Sequence, residues 1–293
     1  MYPCPYDLQD RHDHNASILS NNKIYAYEED KLTGIKNEGT VRFPERSLMM
    51  GFKELKIQPS EVDIWVFPEP VKIEINSLEF FFTTIVKAYN GNKLNFKSWM
   101  RKHVKFLPHQ ISHASLAMYG SKFSQSMFLC LDGGGDFGDN RNFIFGKYSN
   151  KKFHIKYEAS GTNNIGSFHA FLTDALGLAA NESGKVSGLA GYGTIKEKLA
   201  TEFSKLLKVS KKGIYFDRKR YHVTKLNLEK IKPREYNRSK FMNCYPSDNN
   251  ISRLCYEYLP QDIAATGEFV FREKILELLR LLRSESSSKN IVL

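Results

Sequence analysis

The spacing of apolar residues along the chain predicts interspersed helices and strands. Apolar positions recur at helical intervals over 45–55, 110–119, 165–178, 195–207 and 262–283. Alternating or continuous apolar runs that are typical of strands occupy 23–28, 62–67, 127–131, 143–145, 153–157 and 290–293. Because both kinds of element mix throughout, with hairpin-like pairs inside an otherwise alternating order, we predict an α/β domain with some antiparallel pairing.

Composition is that of a globular protein. The 293 residues are 41% hydrophobic and 26% charged, so the chain can bury a sizeable core. No apolar run is long enough to cross a bilayer. Residues 1–13 contain neither the basic nor the apolar region of a signal peptide, so we expect no membrane span and a cytoplasmic protein.

Charge and cysteine content narrow the function classes further. The formal net charge is +11, but the lysines and arginines are scattered, and their densest cluster, 211–220, belongs to no known RNA-binding motif. We therefore expect a solvated basic surface and no nucleic-acid partner. The four cysteines form no CxxC pair, which argues against a zinc cluster and against a disulfide framework.

Two histidines stand four residues apart in the segment LPHQISHA, which has helical periodicity. His109 and His113 would project side by side from one helix face, where two imidazoles can ligate one metal ion. The glutamate of the HExxH zinc-protease motif is missing. A chance spacing on a surface helix is the alternative interpretation.

An aspartate and three glycines follow a short apolar strand in the segment FLCLDGGGD. Asp132 would stand at the end of that strand as a third metal ligand, with Asp136 as a nearby acid. Gly133, Gly134 and Gly135 would let backbone N–H groups approach a phosphate or another ligand. A tight hairpin turn would also account for an aspartate followed by glycines. The sequence alone does not decide between a turn and a ligand-binding site.

Two further segments carry groups that could bind a ligand. In ESGKVSGLAGYG, the residues Gly184, Lys185 and Gly188 could surround a phosphate, although the spacing is not that of a Walker A loop. In HDHNAS, His14 could be a general base for a substrate hydroxyl, because imidazole titrates near neutral pH. A polar turn is the alternative for this last segment.

Taken in order, these segments resemble the N-terminal half of the O-carbamoyltransferases of the nodulation-protein U type, which include the cephamycin and tobramycin carbamoyltransferases. The resemblance covers about 14–193 and resumes at 262 with DIAATGEFVFREKILELL. It implies the fold of the actin-like, sugar-kinase and Hsp70-type ATPase superfamily, with a ribonuclease H-like core, similar to the universal tRNA threonylcarbamoyl-transfer protein. It also implies a YrdC-like domain, in which carbamoyl phosphate and ATP form a carbamoyl adenylate. The carbamoyl group then passes to a substrate hydroxyl beside a bound metal.

The resemblance also assigns roles to individual residues. His109, His113 and Asp132 match the family's metal ligands, which implies iron(II), with zinc or manganese as alternatives that ligand type does not separate. His14 matches the histidine of the HDAS-type motif, where a base or substrate contact is expected. The residues that match segments near the nucleotide and carbamoyl adenylate are Gly133, Gly134, Gly135, Gly184, Lys185 and Gly188.

The chain departs from the family pattern at several places, one of which is Ser183, inserted between Glu182 and Gly184 where the family has a direct Glu-Gly step. It stops before the family's GGVALN-type turn, and so before the fourth ligand, an Asp, and the YrdC-like domain. Residues 1–13 replace an apolar first strand, and Pro108 replaces a histidine. We therefore expect 1–293 to be an incomplete large domain that needs the YrdC-like half, in cis or in trans, to act on a small-molecule or glycan hydroxyl. The alternatives are a non-catalytic or degenerate metal- or nucleotide-binding fragment and a tRNA threonylcarbamoyl-transfer protein.

Overall fold

The chain divides into two compact units, which are described separately. The computed structural model describes residues 14–35, 43–68, 75–134, 141–161, 164–176, 178, 182–217, 258–285 and 288–293. The first unit comprises 1–67 and 72–106, and the second comprises 68–71 and 107–293. The predicted mixture of helices and strands is confirmed. The assignment of 1–293 to one large domain of the actin-like superfamily stays a prediction.

The described residues of the first unit form a hairpin, a second strand pair and four α-helices. The antiparallel hairpin joins β1 and β2, with Asn15 opposite Glu28. The strands are β1 Asn15–Ser20, β2 Lys23–Glu28, β3 Trp65–Pro68 and β4 Val104–Leu107, of which β3 and β4 pair with each other. The helices are α1 Glu29–Thr33, α2 Glu45–Leu55, α3 Ile75–Phe80 and α4 Lys93–His103.

Aromatic side chains fill the core of the first unit. Phe81 and Phe82 are fully buried in a single π-helical turn that follows α3. The Trp65 ring meets Phe82 edge-on at 5.1 Å between centroids, and Trp99 meets it from another side at 5.0 Å. Edge-to-face pairs of this kind add about 0.5–1.5 kcal/mol each to the burial of the rings.

The second unit is organised around a four-stranded sheet in the order β10-β5-β6-β7. The strands are β5 Ser126–Leu131, β6 Arg141–Ser149, β7 Lys152–Ser160 and β10 Ile291–Val292. The first three pair antiparallel in sequence order, whereas β10 runs parallel to β5 with Ile291 opposite Met127. Phe128 and Cys130 face one core cluster, and Met127 and Leu129 face another. Both faces of β5 are therefore covered, which explains its continuous apolar run.

Helices cover both faces of this sheet. The helices are α5 His109–Ser121, α6 Ile165–Ala175, α7 Ser183–Ala190, α8 Glu197–Lys205 and α9 Pro260–Arg283, and the strands β8 Leu207–Ser210 and β9 Gly213–Phe216 form a separate hairpin. Ala114 and Met118 of α5 pack on one face, and α6 and α9 contribute to the cluster on the other. No helix in the described part of the chain is both long and apolar enough to cross a membrane. Cytoplasmic location stays a prediction.

A charged network joins the end of α9 to the rest of the second unit. Glu285 accepts hydrogen bonds from Lys156 at 2.6 Å and from the Tyr157 hydroxyl at 2.8 Å, and Lys211 lies 2.5 Å from its other oxygen. Hydrogen bonds from Lys156, Lys211 and Tyr157 lower the pKa of Glu285 to about 2. The carboxylate therefore stays ionised well below neutral pH.

Most predicted elements are confirmed, with shifted ends. The helix at 45–55 is found as predicted, and the last long helix begins two residues early because Pro260 fits its first turn. The strand predicted at 62–67 begins only at Trp65, since a 3₁₀ turn at 59–61 binds the Val62 N–H to the Pro59 carbonyl. The helix predicted at 195–207 ends at Lys205, because Leu207 already begins β8.

Candidate metal centre

The two histidines lie in the first two turns of α5. His109 is the first residue of the helix and directly follows Pro108, and His113 lies one turn later. The ring centroids are 4.7 Å apart, and the Nε2 atoms are separated by 3.0 Å. The predicted helix with both imidazoles on one face is confirmed.

Asp132 approaches the same point from the end of β5. Its N–H donates to the Asn142 carbonyl at 2.9 Å, which closes the ladder between β5 and β6. Its Oδ2 lies 2.9 Å from Nε2 of His109 and 3.5 Å from Nε2 of His113. Strand β5 pairs antiparallel with β6, the next strand along the chain. Residues 135–140 of the connection lie outside the described residues, so the tight-turn interpretation stays a prediction.

These three side chains fit a divalent metal ion. Two imidazole nitrogens and one carboxylate oxygen lie within 4.8 Å of one another, and the described residues contain no second group of three such side chains. Atoms that ligate one ion at about 2.0–2.2 Å stand about 3.0–3.5 Å apart in tetrahedral or octahedral arrangements. The separations of 2.9, 3.0 and 3.5 Å match that requirement without rearrangement.

Electrostatics keep Asp132 ionised. Burial raises the pKa of its carboxyl, but the hydrogen bond with His109, the Gly133 N–H and the charges of the two histidines lower it by more. The net pKa of Asp132 lies below its ordinary value. An ionised carboxylate is the form that a metal ion binds, so the group is ready to act as a ligand at neutral pH.

The glycine turn after Asp132 is held by α6. The Gly133 N–H donates to Asp132 Oδ1 at 2.6 Å, and the Gly133 carbonyl accepts from Asn164 at 2.8 Å. A Cβ atom on Gly166 would lie 2.4 Å from the Gly133 Cα, so only glycine permits this close approach. Gly133 itself would meet only an ordinary contact at 4.0 Å, and Gly134 would meet nothing. The sterically required glycine, Gly166, was missed because its neighbour is distant in sequence.

The segment with Gly184, Lys185 and Gly188 forms helix α7. Lys185 makes an ion pair with Glu182, one turn earlier. Both glycines are exposed, and a Cβ atom on either would meet nothing within 4 Å. The helix packs against α6 and α9. Its role in binding a nucleotide stays a prediction. Gly135 and Asp136 lie outside the described residues.

A second polar cluster, not anticipated from the sequence, joins α6, α7 and α9. Glu268 accepts from Ser187 at 2.5 Å and lies 3.0 Å from Nε2 of His169. The hydrogen bond with His169 is the main reason why the pKa of Glu268 lies below its ordinary value, against the opposing effect of burial. This cluster fixes the three helices relative to one another.

His14 belongs to the first unit and immediately precedes β1. Its carbonyl accepts from the Glu29 N–H at 2.9 Å, where the hairpin passes into α1. The Glu29 side chain is fully buried and accepts from the Ser47 N–H at 2.8 Å. The role of His14 as a base stays a prediction.

Fold and site together define an α/β protein with two histidines and one aspartate arranged to hold a divalent cation. Residues 72–293, about three quarters of the chain, match the family described as "Carbamoyltransferase N-terminus". The chain belongs to this family of carbamoyltransferase N-terminal domains, and the resemblance noted from its motifs is confirmed. The matched residues include His109, His113 and Asp132 but not His14.

A curated relative agrees with this assignment. The chain is 26% identical over 223 residues to "Nodulation protein NolNO" of Sinorhizobium fredii (strain NBRC 101917 / NGR234). The alignment covers 71% of this chain and 32% of NolNO, so the chain spans about a third of the length of this relative.

Proposed function

We propose that this chain is the acceptor-side half of an O-carbamoyltransferase. It would transfer a carbamoyl group from carbamoyl adenylate, made from carbamoyl phosphate and ATP, to a hydroxyl of a small molecule or glycan. The observation that carries this proposal is the convergence of His109, His113 and Asp132 in a chain that belongs to the carbamoyltransferase N-terminal family.

The three ligand side chains suit this chemistry. An alcohol is a weak nucleophile at neutral pH and must be activated or brought to a polarised carbonyl. A divalent metal, iron(II) or alternatively zinc or manganese, would supply Lewis acidity to the carbamoyl carbonyl or to the attacking hydroxyl. Asp132 would contribute one negative charge, and His109 and His113 two neutral nitrogens, so the site would keep a net positive charge facing the developing oxyanion.

The glycine-rich segments would position the activated carbamoyl donor. The N–H of Gly133 already donates to Asp132, so Gly134 and the neighbouring Gly135 would be the backbone donors toward a phosphate. Gly184 and Gly188 would let a nucleotide approach α7 closely. Lys185 would exchange its partner Glu182 for the phosphate anion.

The remaining parts of the reaction require the rest of a carbamoyltransferase. We propose the actin-like ATPase fold for the large domain, with its ribonuclease H-like core, and a YrdC-like half, in cis or in trans, that makes the carbamoyl adenylate. His14 would then contact or deprotonate the acceptor hydroxyl.

The test is carbamoyl transfer in the presence of a YrdC-like partner. The chain would be co-expressed with that partner and supplied with ATP and isotopically labelled carbamoyl phosphate, using a panel of sugar and small-molecule hydroxyl acceptors. We expect label in the acceptor from the wild-type chain, and loss of label after chelation or with His113→Ala. A chain that binds metal at this site but labels no acceptor would support the non-catalytic alternative instead.

A further inference from the structure

A buried amide lies beside Asp132, one of the three candidate metal ligands. Gln110 follows His109 on α5 and is fully buried. Its Nε2 lies 2.8 Å from the Arg141 carbonyl and 3.5 Å from Asp132 Oδ2, and its Oε1 lies 2.7 Å from the Cys130 sulfur. One side chain therefore links α5 to both β5 and β6.

These contacts fix the orientation of the amide. The carboxylate and the carbonyl are both acceptors, so the NH₂ group of Gln110 must face them. The amide oxygen then faces Cys130, which must supply a proton. The Cys130 thiol, 2.7 Å from that oxygen, is therefore the donor to Gln110.

The hydrogen bonds of Gln110 extend to Oδ2 of Asp132, the carboxylate oxygen that would bind the metal. Oδ1 of Asp132 is held by the Gly133 N–H at 2.6 Å, whereas Oδ2 faces both histidines. A donor from Gln110 to Oδ2 limits rotation of the carboxylate about its last bond. Partners of this kind orient metal ligands, and their loss commonly weakens metal binding about 10- to 100-fold.

We propose that Gln110 and Cys130 are positioning residues that hold Asp132 toward the metal. This inference rests on the metal site of the proposed function. It assigns a role to a glutamine and a cysteine that neither ligate the ion nor contact the acceptor. The alternative is that the two residues are only core hydrogen-bonding partners and stabilise the fold without affecting the site.

The experiment measures Co²⁺ binding to the full chain by its visible absorption, with paired variants. Gln110→Leu removes the donor at similar volume, and Gln110→Glu keeps the shape but presents oxygen to Asp132. Cys130→Ala removes the thiol donor, whereas Cys130→Ser retains a hydroxyl donor. We expect about 10-fold weaker Co²⁺ binding for both Gln110 variants, a smaller loss for Cys130→Ala, and near wild-type affinity for Cys130→Ser.

Unfolding by urea without metal separates binding effects from folding effects. Wild-type Co²⁺ affinity in folded Gln110→Glu, or equal affinities in the two Cys130 variants, would overturn the positioning role alone. Co²⁺ affinity that is low in wild type and unaltered by His109→Ala would overturn the metal site itself, and the positioning role with it. If Gln110→Leu does not fold, the comparison of Cys130→Ser with Cys130→Ala decides.

Discussion

The contact between Gly166 and Gly133 offers the sharpest test of how the fold positions the candidate metal ligand Asp132. In Gly166→Ala, the new Cβ would lie 2.4 Å from the Gly133 Cα and 2.8 Å from its nitrogen. Carbon atoms in good contact stand about 3.5–4.0 Å apart, so α6 and the turn must separate by about 1 Å. Both contacting atoms of the turn belong to backbone, and no change of rotamer can relieve the clash.

The expected cost follows from these distances. Separation of about 1 Å lengthens the 2.8 Å hydrogen bond from Asn164 to the Gly133 carbonyl beyond hydrogen-bonding range. Overpacking costs about 1–3 kcal/mol, and the lost hydrogen bond adds about 1 kcal/mol. Replacing glycine by alanine in a helix returns up to about 1 kcal/mol, so we expect a net loss of about 1–3 kcal/mol. Because Asp132 adjoins the displaced turn, Co²⁺ binding should weaken about 10-fold.

The assay must report on the second unit. Both tryptophans, Trp65 and Trp99, belong to the first unit, so their fluorescence does not follow unfolding of α6. Urea unfolding by far-ultraviolet circular dichroism gives the stability, and hydrogen exchange at 126–134 and 164–176 locates the change. Gly120→Ala on α5 is the matched control, since its Cβ would meet nothing within 4 Å. If Gly166→Ala has the same stability and the same Co²⁺ affinity as Gly120→Ala, the argument from the Gly166–Gly133 contact is refuted.

Three further predictions concern other contacts of the second unit. His109→Ala and His113→Ala should each weaken Co²⁺ binding about 10-fold or more in equilibrium dialysis, and unchanged stoichiometry in both would reject the ligand assignment. Glu285 has a pKa of about 2 against an ordinary 4.5, so its ion pairs stabilise the folded state above pH 4.5 and are lost as the pH falls toward 2. Glu285→Gln should therefore be less stable at neutral pH and show a flatter acid-unfolding curve across that window, and an identical curve would contradict this. In Gly267→Ala the new Cβ would lie 2.4 Å from Leu172 Cδ1 and should cost about 1–3 kcal/mol, whereas the double variant with Leu172→Ala should cost less than the sum of the two single changes. Additive unfolding energies would show that the two side chains do not meet.

The sequence predicted those parts of the candidate site that depend on local spacing along the chain. His109 and His113 share a helix face because four residues make about one turn, and helical periodicity was visible around them. Asp132 was predicted from its place at the end of an apolar strand, and that strand was found within one residue of its expected bounds. Such features need no knowledge of which elements pack together.

The missed features all depend on long-range packing. A glutamine inside a helical pattern is expected at the surface, yet Gln110 is fully buried because three partners from β5, β6 and the turn satisfy its amide. Gly166 carries no signal of its own, since its requirement for glycine comes from Gly133, more than thirty residues away. The cluster of Glu268 with Ser187 likewise joins helices far apart in sequence. Spacing alone cannot reveal contacts that only the assembled sheet and helices create.

The parallel pairing of β10 with β5 sets an order on the folding of the second unit. The two strands meet although about 160 residues separate them, whereas β5, β6 and β7 follow one another closely and can form hairpins early. Before β10 pairs with β5 during folding, one edge of β5 has unpaired N–H and C=O groups. Five residues of β5 that are buried in the folded chain are then incompletely covered. A second chain can pair with that edge before β10 does. Refolding yield should therefore decrease as protein concentration rises, with β5 as the segment that aggregates.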